Sequence, residues 1–319
     1  MSSDDLSEEL TRNTANAPEE ILTRSIFFLS AVLSVVTTIA IVVLLTTEAA
    51  KFFTVTANLI GFQGETASIV DFLTGTKWQI ANRKFGVLPL ASATILITVG
   101  SAFVAIPLGV GTAIYLSEYA DPEIRSFIKP ALEILAGIPT VVYGFFALVY
   151  ITPALRGIFP QIGTFNLLSA SIVVGVMIIP MVASISEDAM AAVPDELRQA
   201  GYGMGATKLD VSLGIVVPAA FSGIVSSFIL ALSRAIGETM AVTIAAGSQA
   251  NFLNVLNPAS FLESGLPMTA AMIQLLTGDI TGGGIAYRSL FAIGLTLFVM
   301  TFAMNVISEL VARRFQEEY

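Results

Sequence analysis

The chain has 319 residues, of which 55% are hydrophobic and only 12% charged, with a mean hydropathy of +0.82. A soluble domain carries about 25% charge, so a water-soluble globule is excluded and an integral membrane protein is indicated. The chain has neither Cys nor His, which rules out disulfides, thiol nucleophiles, imidazole bases and the usual zinc sites.

The formal net charge of −9 is uneven: Asp4, Asp5, Glu8, Glu9, Glu19 and Glu20 face Arg12 alone in the first twenty residues. That acidic stretch, residues 1–25, reads as a disordered, solvated tail rather than a cleaved signal peptide, which needs a basic start. Six apolar runs of spanning length follow. The first is Ile26–Thr47. The rest of residues 26–86 is a mixed region with Phe62, Phe72, Trp78 and Phe85, fitting interfacial aromatics or a folded extramembrane loop equally well.

Residues 87–312 hold the remaining spans. Val87–Leu116 carries Pro107 and several glycines, tolerable in a bundle where neighbours satisfy the freed backbone groups. Pro130–Ile151 contains Glu133 and Pro139, and Leu167–Ala192 contains Pro180 with Glu187 and Asp188 near its end. Pro218–Ala246 is the fifth span and Ser289–Val311 the sixth, before a tail at 313–319. The apolar piece Pro267–Leu276 is too short to cross and reads as a re-entrant or surface helix. With the N-terminus inside, eight Lys and Arg residues fall on the cytoplasmic side and six on the other, which favours cytoplasmic termini.

Between the fourth and fifth spans lies Val193–Pro218, the least apolar stretch of the middle of the chain. Pro194 suits a first helical position, with Asp195 and Glu196 in the positive first turn. Gly201, Gly203 and Gly205 loosen the chain, and Thr207 with Asp210 has capping-box spacing before an apolar run. A short polar helix, a glycine stop and a returning helix result: a plain loop or a docking element for a partner.

The strongest chemical signal is Ser233-Arg234-Ala235-Ile236-Gly237-Glu238-Thr239, in the middle of the fifth span. Arg234 and Glu238 stand four apart, on one face of a continuous helix, where they can pair. Each charge costs roughly 2.5–3.5 kcal/mol at a helix centre, so holding both there needs a reason. Either Arg234 meets a permeating anion, or the pair gates a water-filled path, or a self-neutralising pair fixes helix packing. Glu133, and Glu187 with Asp188, lie near span ends, where water reaches them. The glycines of 201–205 lack the Lys-Ser or Lys-Thr and the leading strand of a phosphate loop, so the chain has no nucleotide site of its own. No Ser has a base beside it, which leaves an intramembrane hydrolase unsupported. A transporter subunit leads; a membrane enzyme and a structural scaffold trail.

The stretch 193–218 resembles the EAA loop of binding-protein-dependent ABC importer permeases. That pattern is Glu-Ala-Ala, three residues, Gly, nine residues, then Ile-x-Leu-Pro. Here Gln199, Ala200 and Gly201 take the first three places, Gly205 is the glycine, and Ile215, Val216, Val217 and Pro218 close it. Gln199 replaces the acid, Gly201 the second Ala and Val217 the Leu, with Glu196 one helical turn back. Beyond the loop, PLGVGTAIYLSEYA, ILAGIPTVVYGFFAL, MIIPMVASISEDAM, SRAIGETMAV and YRSLFAIGLTLF are similar to phrases of the PstC-type phosphate-importer permeases.

The resemblance implies an all-α, six-helix integral membrane fold, that of MetI-like type I ABC importer permeases. It implies a permease subunit of an ATP-driven phosphate importer, with a PstA-type second permease, a PstB-type ATPase dimer and a PstS-type phosphate-binding protein. ATP and magnesium then belong to the ATPase, and the chain needs no cofactor, metal or catalytic residue. Arg234, Glu238 and Thr239 become candidates for the substrate path or its gating. Pro194, Glu196, Gln199, Ala200, Gly201, Gly205, Ile215 and Pro218 become candidates for ATPase coupling. Membrane lipid and inorganic phosphate are the other expected partners; nothing calls for nucleic acid. The alternatives are a permease for another oxyanion or small solute, and a non-transporting membrane scaffold.

Overall fold

The computed structural model describes residues 18–54, 68–278 and 284–314, so most of the acidic tail lies outside the described residues. The described chain is helical apart from one small hairpin and its connections. The first helix, α1 (Pro18–Thr54), begins earlier and ends later than the apolar run alone predicts. Helix α2 (Ile69–Thr74) is capped by the Ser68 hydroxyl, which accepts the Val70 N–H, and leads into the hairpin β1 (Trp78–Gln79) and β2 (Lys84–Phe85), paired antiparallel with Trp78 opposite Phe85.

Of the two readings left open for the region around Trp78, the structure selects the folded one. Phe52, Phe72, Trp78 and Phe85 are all nearly inaccessible, and their rings meet edge to face at 5.5–5.8 Å. This is the favoured geometry for aromatic quadrupoles.

Helix α3 (Leu88–Ile114) runs into a π-turn at Tyr115–Tyr119. It packs most extensively on α7 (Leu167–Ala191), and the pair forms the centre of the bundle. Small residues allow the approach: a Cβ on Gly109 would stand 2.6 Å from Val182 Cβ, and one on Gly175 would stand 2.7 Å from Val104 Cβ. Helix α14 (Ile285–Arg314) packs on α1, whose outer surface shows Phe27, Phe28 and Leu33, as suits a helix facing lipid.

Two expected single spans are broken. The third consists of α4 (Pro122–Gly137) and α5 (Thr140–Phe146), the latter continuing through a π-turn into α6 (Thr152–Arg156), with an 89° bend at Ile138-Pro139. Pro139 cannot donate a backbone hydrogen bond and disfavours helical conformation in Ile138 before it. The freed Leu135 carbonyl accepts the Tyr143 hydroxyl at 2.6 Å. The fifth span starts as α9 (Lys208–Val211), a π-turn at Ser212–Val216 and α10 (Val217–Ala219), bends by 69°, and continues as α11 (Phe221–Ile236). It then breaks again before α12 (Met240–Ala245).

Among the described residues, four helices are long and apolar enough to cross a membrane, or up to six spans if each bent pair counts as one. The piece expected to be re-entrant or superficial is α13 (Met268–Thr277). It is packed inside, with Met268, Ala270, Ala271 and Leu275 buried and the Met268 N–H donating to Thr94 Oγ1 at 3.0 Å.

The contact between α3 and α7 makes a stability prediction. Gly109→Leu should destabilise the isolated chain by about 1–3 kcal/mol, the usual cost of overpacking, seen as a lowered thermal midpoint in detergent. Gly111→Leu on the same helix, where a Cβ meets nothing within 4 Å, should leave that midpoint unchanged.

Candidate functional site: a broken helix, a charged cavity and a loop

The expected helix face shared by Arg234 and Glu238 does not exist. Helix α11 ends at Ile236, and Gly237-Glu238-Thr239 leaves the helix before α12 starts. Arg234 therefore lies at the helix end and Glu238 within the break, and neither takes part in any ion pair among the described residues. Glycine, the poorest helix former after proline, stands where the helix stops. Each charge instead sits at a helix end of suitable polarity. Arg234 is in the last turn of α11, at the negative end of its dipole. Glu238, 7% exposed, accepts the Ala241 N–H in the first turn of α12 at 3.2 Å.

Hydrogen bonds hold the break in place. The Gly237 N–H reaches Ser233 O at 3.3 Å, the Glu238 N–H reaches Ala235 O at 3.2 Å, and the Thr269 hydroxyl of α13 donates to Glu238 O at 2.7 Å. Thr239 is half-buried and its hydroxyl donates to Gly237 O at 3.0 Å, which fastens the turn. The far end of α12 is equally satisfied. Ala245 O accepts the Asn166 N–H at 3.1 Å, and Ala246 O accepts the Gly265 N–H at 3.1 Å and the Ser264 hydroxyl at 3.0 Å. Gly247 follows at φ +95, a conformation only glycine adopts without strain.

Arg234 is exposed and lines a cavity of about 590 Å³ between α4, α7 and α11, together with Lys129, Glu133, Ser184 and Glu187. The Arg234 guanidinium has no hydrogen-bond or ion-pair partner among the described residues, so its donors are available to whatever occupies the cavity. Glu133 is exposed there, as expected. Glu187 was expected to reach water, but it is 1% exposed and bridged by Lys129 Nζ at 2.7 Å and by Arg125. The two cations stand one turn apart on α4 and are each about 40% exposed. Their four-residue spacing places both on one face of α4. No pattern linked them to Glu187, because the partner lies on another helix.

The loop 193–218 matches its sequence reading closely. Helix α8 (Asp195–Gly203) has Asp195 and Glu196 in its first turn, though Pro194 is the cap residue rather than the first helical one. Thr207 and Asp210 form the expected capping box, with reciprocal bonds of 3.3 Å and 3.0 Å. The glycines differ in purpose. Gly201 is buried where a Cβ would meet Ile215 Cδ1 at 2.6 Å and Val211 Cγ2 at 2.9 Å, so it lets α8 lie against the returning chain. Gly205 has φ +83 and open space around it, so it makes the turn.

Glu196, Gln199 and Ala200 are exposed, as are Tyr202, Met204 (81%) and Leu209. Pro218 is exposed in α10, just before the 69° bend. The residues that the sequence reading missed are Arg198 and Glu118, which join α8 to the end of α3 at 3.1 Å.

The pattern of the family described as binding-protein-dependent transport system inner membrane component matches residues 105–317. The chain is 34% identical over 283 residues to the probable ABC transporter permease protein YqgH of Bacillus subtilis, which covers 88% of this chain and 89% of that one. It is 35% identical over 265 residues to the phosphate transport system permease protein PstC of Xylella fastidiosa, covering 77% and 79%. The corresponding protein of Haemophilus influenzae is 32% identical, covering 77% and 82%.

Among solved structures, a bacterial ABC transporter involved in import of the acidic polysaccharide alginate aligns with TM-score 0.63 at 11% identity, over 96% of this chain and all of that one. An inward-facing MetNI methionine ABC transporter aligns with TM-score 0.54 at 17% identity, over 72% and 96%. The fold is therefore the MetI-like type I importer permease fold. The paired helix breaks, the exposed loop and the match over two-thirds of the length agree: this chain belongs to the binding-protein-dependent transport system inner-membrane-component family.

Proposed function

We propose that the chain is the permease subunit of an ATP-driven phosphate importer. It forms the path with a PstA-type permease, is powered by a PstB-type ATPase dimer that holds the ATP and magnesium, and receives phosphate from a PstS-type binding protein. The observation that carries the cargo is Arg234, a guanidinium without a carboxylate partner lining a cavity inside a membrane bundle. A guanidinium offers parallel N–H donors that match phosphate oxygens, and an ionisable residue held within a membrane bundle points to a functional site. Several relatives named as phosphate permeases support the same reading.

The second part of the reading is power. The face of α8 and its turn, with Glu196, Gln199, Ala200 and Met204 exposed, docks in a cleft of the ATPase. Gly201 against Val211 and Ile215 makes that face one solid piece with the returning helix. The loop then lies on the cytoplasmic side, and both termini with it, in line with the excess of Lys and Arg there. Rocking of the helices attached to the loop opens and closes the path.

Two predictions follow from these roles. Arg234→Gln should lower phosphate uptake in proteoliposomes by at least about tenfold, the loss of one charge-assisted contact of 1.5–3 kcal/mol, with assembly intact. Glu238→Gln, which keeps an acceptor for the Ala241 N–H, should act less severely than Glu238→Ala, which removes a capping acceptor worth about 1 kcal/mol. Wild-type uptake by Arg234→Gln would leave that residue only a packing role. For the loop, Gly205→Arg or deletion of residues 194–208 should detach the ATPase while the chain still inserts. ATPase recovered at wild-type yield on co-purification would refute the docking role.

A further inference from the structure

Where the loop's motion goes is a separate question from where the ATPase docks. Along the chain, α8 leads only to α7 before it and to the fifth span after it. The structure adds a third connection. Arg198, in the middle of α8, has a side chain 15% exposed and reaches Glu118, 5% exposed, in the π-turn that ends α3. Its Nη2 and Nε both donate to Glu118 Oε1, at 3.1 and 3.4 Å. The same guanidinium donates through Nη2 to Met190 O at 2.8 Å and through Nη1 to Val193 O at 2.6 Å. Those are carbonyls at and just beyond the end of α7, where the i+4 helical donors run out. Nη1 also reaches Asp195, but that carboxylate is 82% exposed and the contact is worth little.

One planar side chain thus ties three elements together, the ends of α3 and α7 and the body of α8. Lysine could not do this, having a single charged nitrogen and no rigid fork. A second contact acts on the other leg of the loop. Lys208, at the start of α9, places its ammonium 4.9 Å from the ring centroid of Tyr119, the residue next to Glu118. Both legs of the loop therefore hold adjacent residues of one π-turn. Beneath them Ala113, Met190, Val193, Val211, Val216 and Ile224 form a single buried cluster.

We infer that Arg198 and Glu118 form a clasp that passes the loop's movement sideways into α3 and α7, so that the core pair moves with α8 instead of the fifth span alone. Arg198 and Glu118 are positioning residues: neither touches phosphate and neither is on the exposed docking face. The clasp deepens the power-coupling reading and rests on it.

The test uses the complete complex in proteoliposomes, with Glu118→Ala, Arg198→Gln and the double variant, measuring phosphate imported per ATP hydrolysed. ATPase should co-purify at wild-type yield with all three. The ratio should fall roughly fivefold in Glu118→Ala, the lower range of coupling between sites, and at least as far in Arg198→Gln. The double variant should match Arg198→Gln alone, since one interaction cannot be lost twice.

A wild-type ratio in Glu118→Ala would overturn the clasp, and so would losses that multiply in the double variant. Loss of the ATPase from Glu118→Ala would overturn it too, making the pair a support for docking. If Arg198→Gln fails to assemble, Glu118→Ala decides alone. Failure of the docking reading itself shows elsewhere, as ATPase retained by Gly205→Arg.

Discussion

Every feature near the proposed path depends on one constraint. A backbone that leaves the helix inside an apolar bundle must find partners for the N–H and C=O groups it frees, because no water is there to bond them. The break at Gly237–Thr239 finds partners in Ser233 O, Ala235 O, the Thr269 hydroxyl and the Glu238 carboxylate, and the far end of α12 in Asn166, Ser264 and Gly265. Once satisfied, the break becomes useful. It turns two charges that would sit at a costly helix centre into charges at helix ends, Arg234 where the dipole is negative and Glu238 where it is positive. The carboxylate is then occupied with the backbone, and the guanidinium is left facing the cavity.

The same logic separates the two carboxylates near that cavity. Glu187 is enclosed and held by Arg125 and Lys129, so it acts as a clip between α4 and α7. Glu133 is exposed at the cavity wall and makes no such bond among the described residues. A buried carboxylate with two half-exposed cations keeps part of the hydration of the pair, which lowers the desolvation cost that makes fully buried ion pairs poor stabilisers. Among the described residues, the cavity therefore combines the fixed Glu187 cluster with an Arg234 guanidinium and a Glu133 carboxylate that are not paired with each other.

At the loop, stiffness and exposure are divided between residues a few positions apart. Gly201 is packed against Val211 and Ile215, and Gly205 turns the chain at φ +83. Glu196, Gln199, Ala200 and Met204 present a free surface. The proposed docking role asks for an element that is solid behind and open in front. Here the solidity comes from close backbone approach and from Arg198, and the open face is formed by the side chains between them.

The sequence by itself determined the class of the protein and much of its local structure. Hydropathy runs located six spans because crossing hydrocarbon needs about 20 apolar residues. Thr207 and Asp210 announced a helix start because their bonds reach only three residues along the chain. The spacing of Gln199, Gly205, Ile215 and Pro218 marked the loop as one piece.

Only the tertiary structure decided what lies between elements far apart in sequence. An apolar run reads the same whether its helix is straight or broken, so the 89° and 69° bends and the loss of the Arg234–Glu238 face were invisible to hydropathy. The Glu238 carbonyl freed by the break is met by Thr269, thirty-one residues on. Likewise Glu187 looked accessible near a span end, and no local pattern singled out Arg198. Their partners on α4 and α3 lie 62 and 80 residues away, at separations where packing rather than local spacing brings charges together.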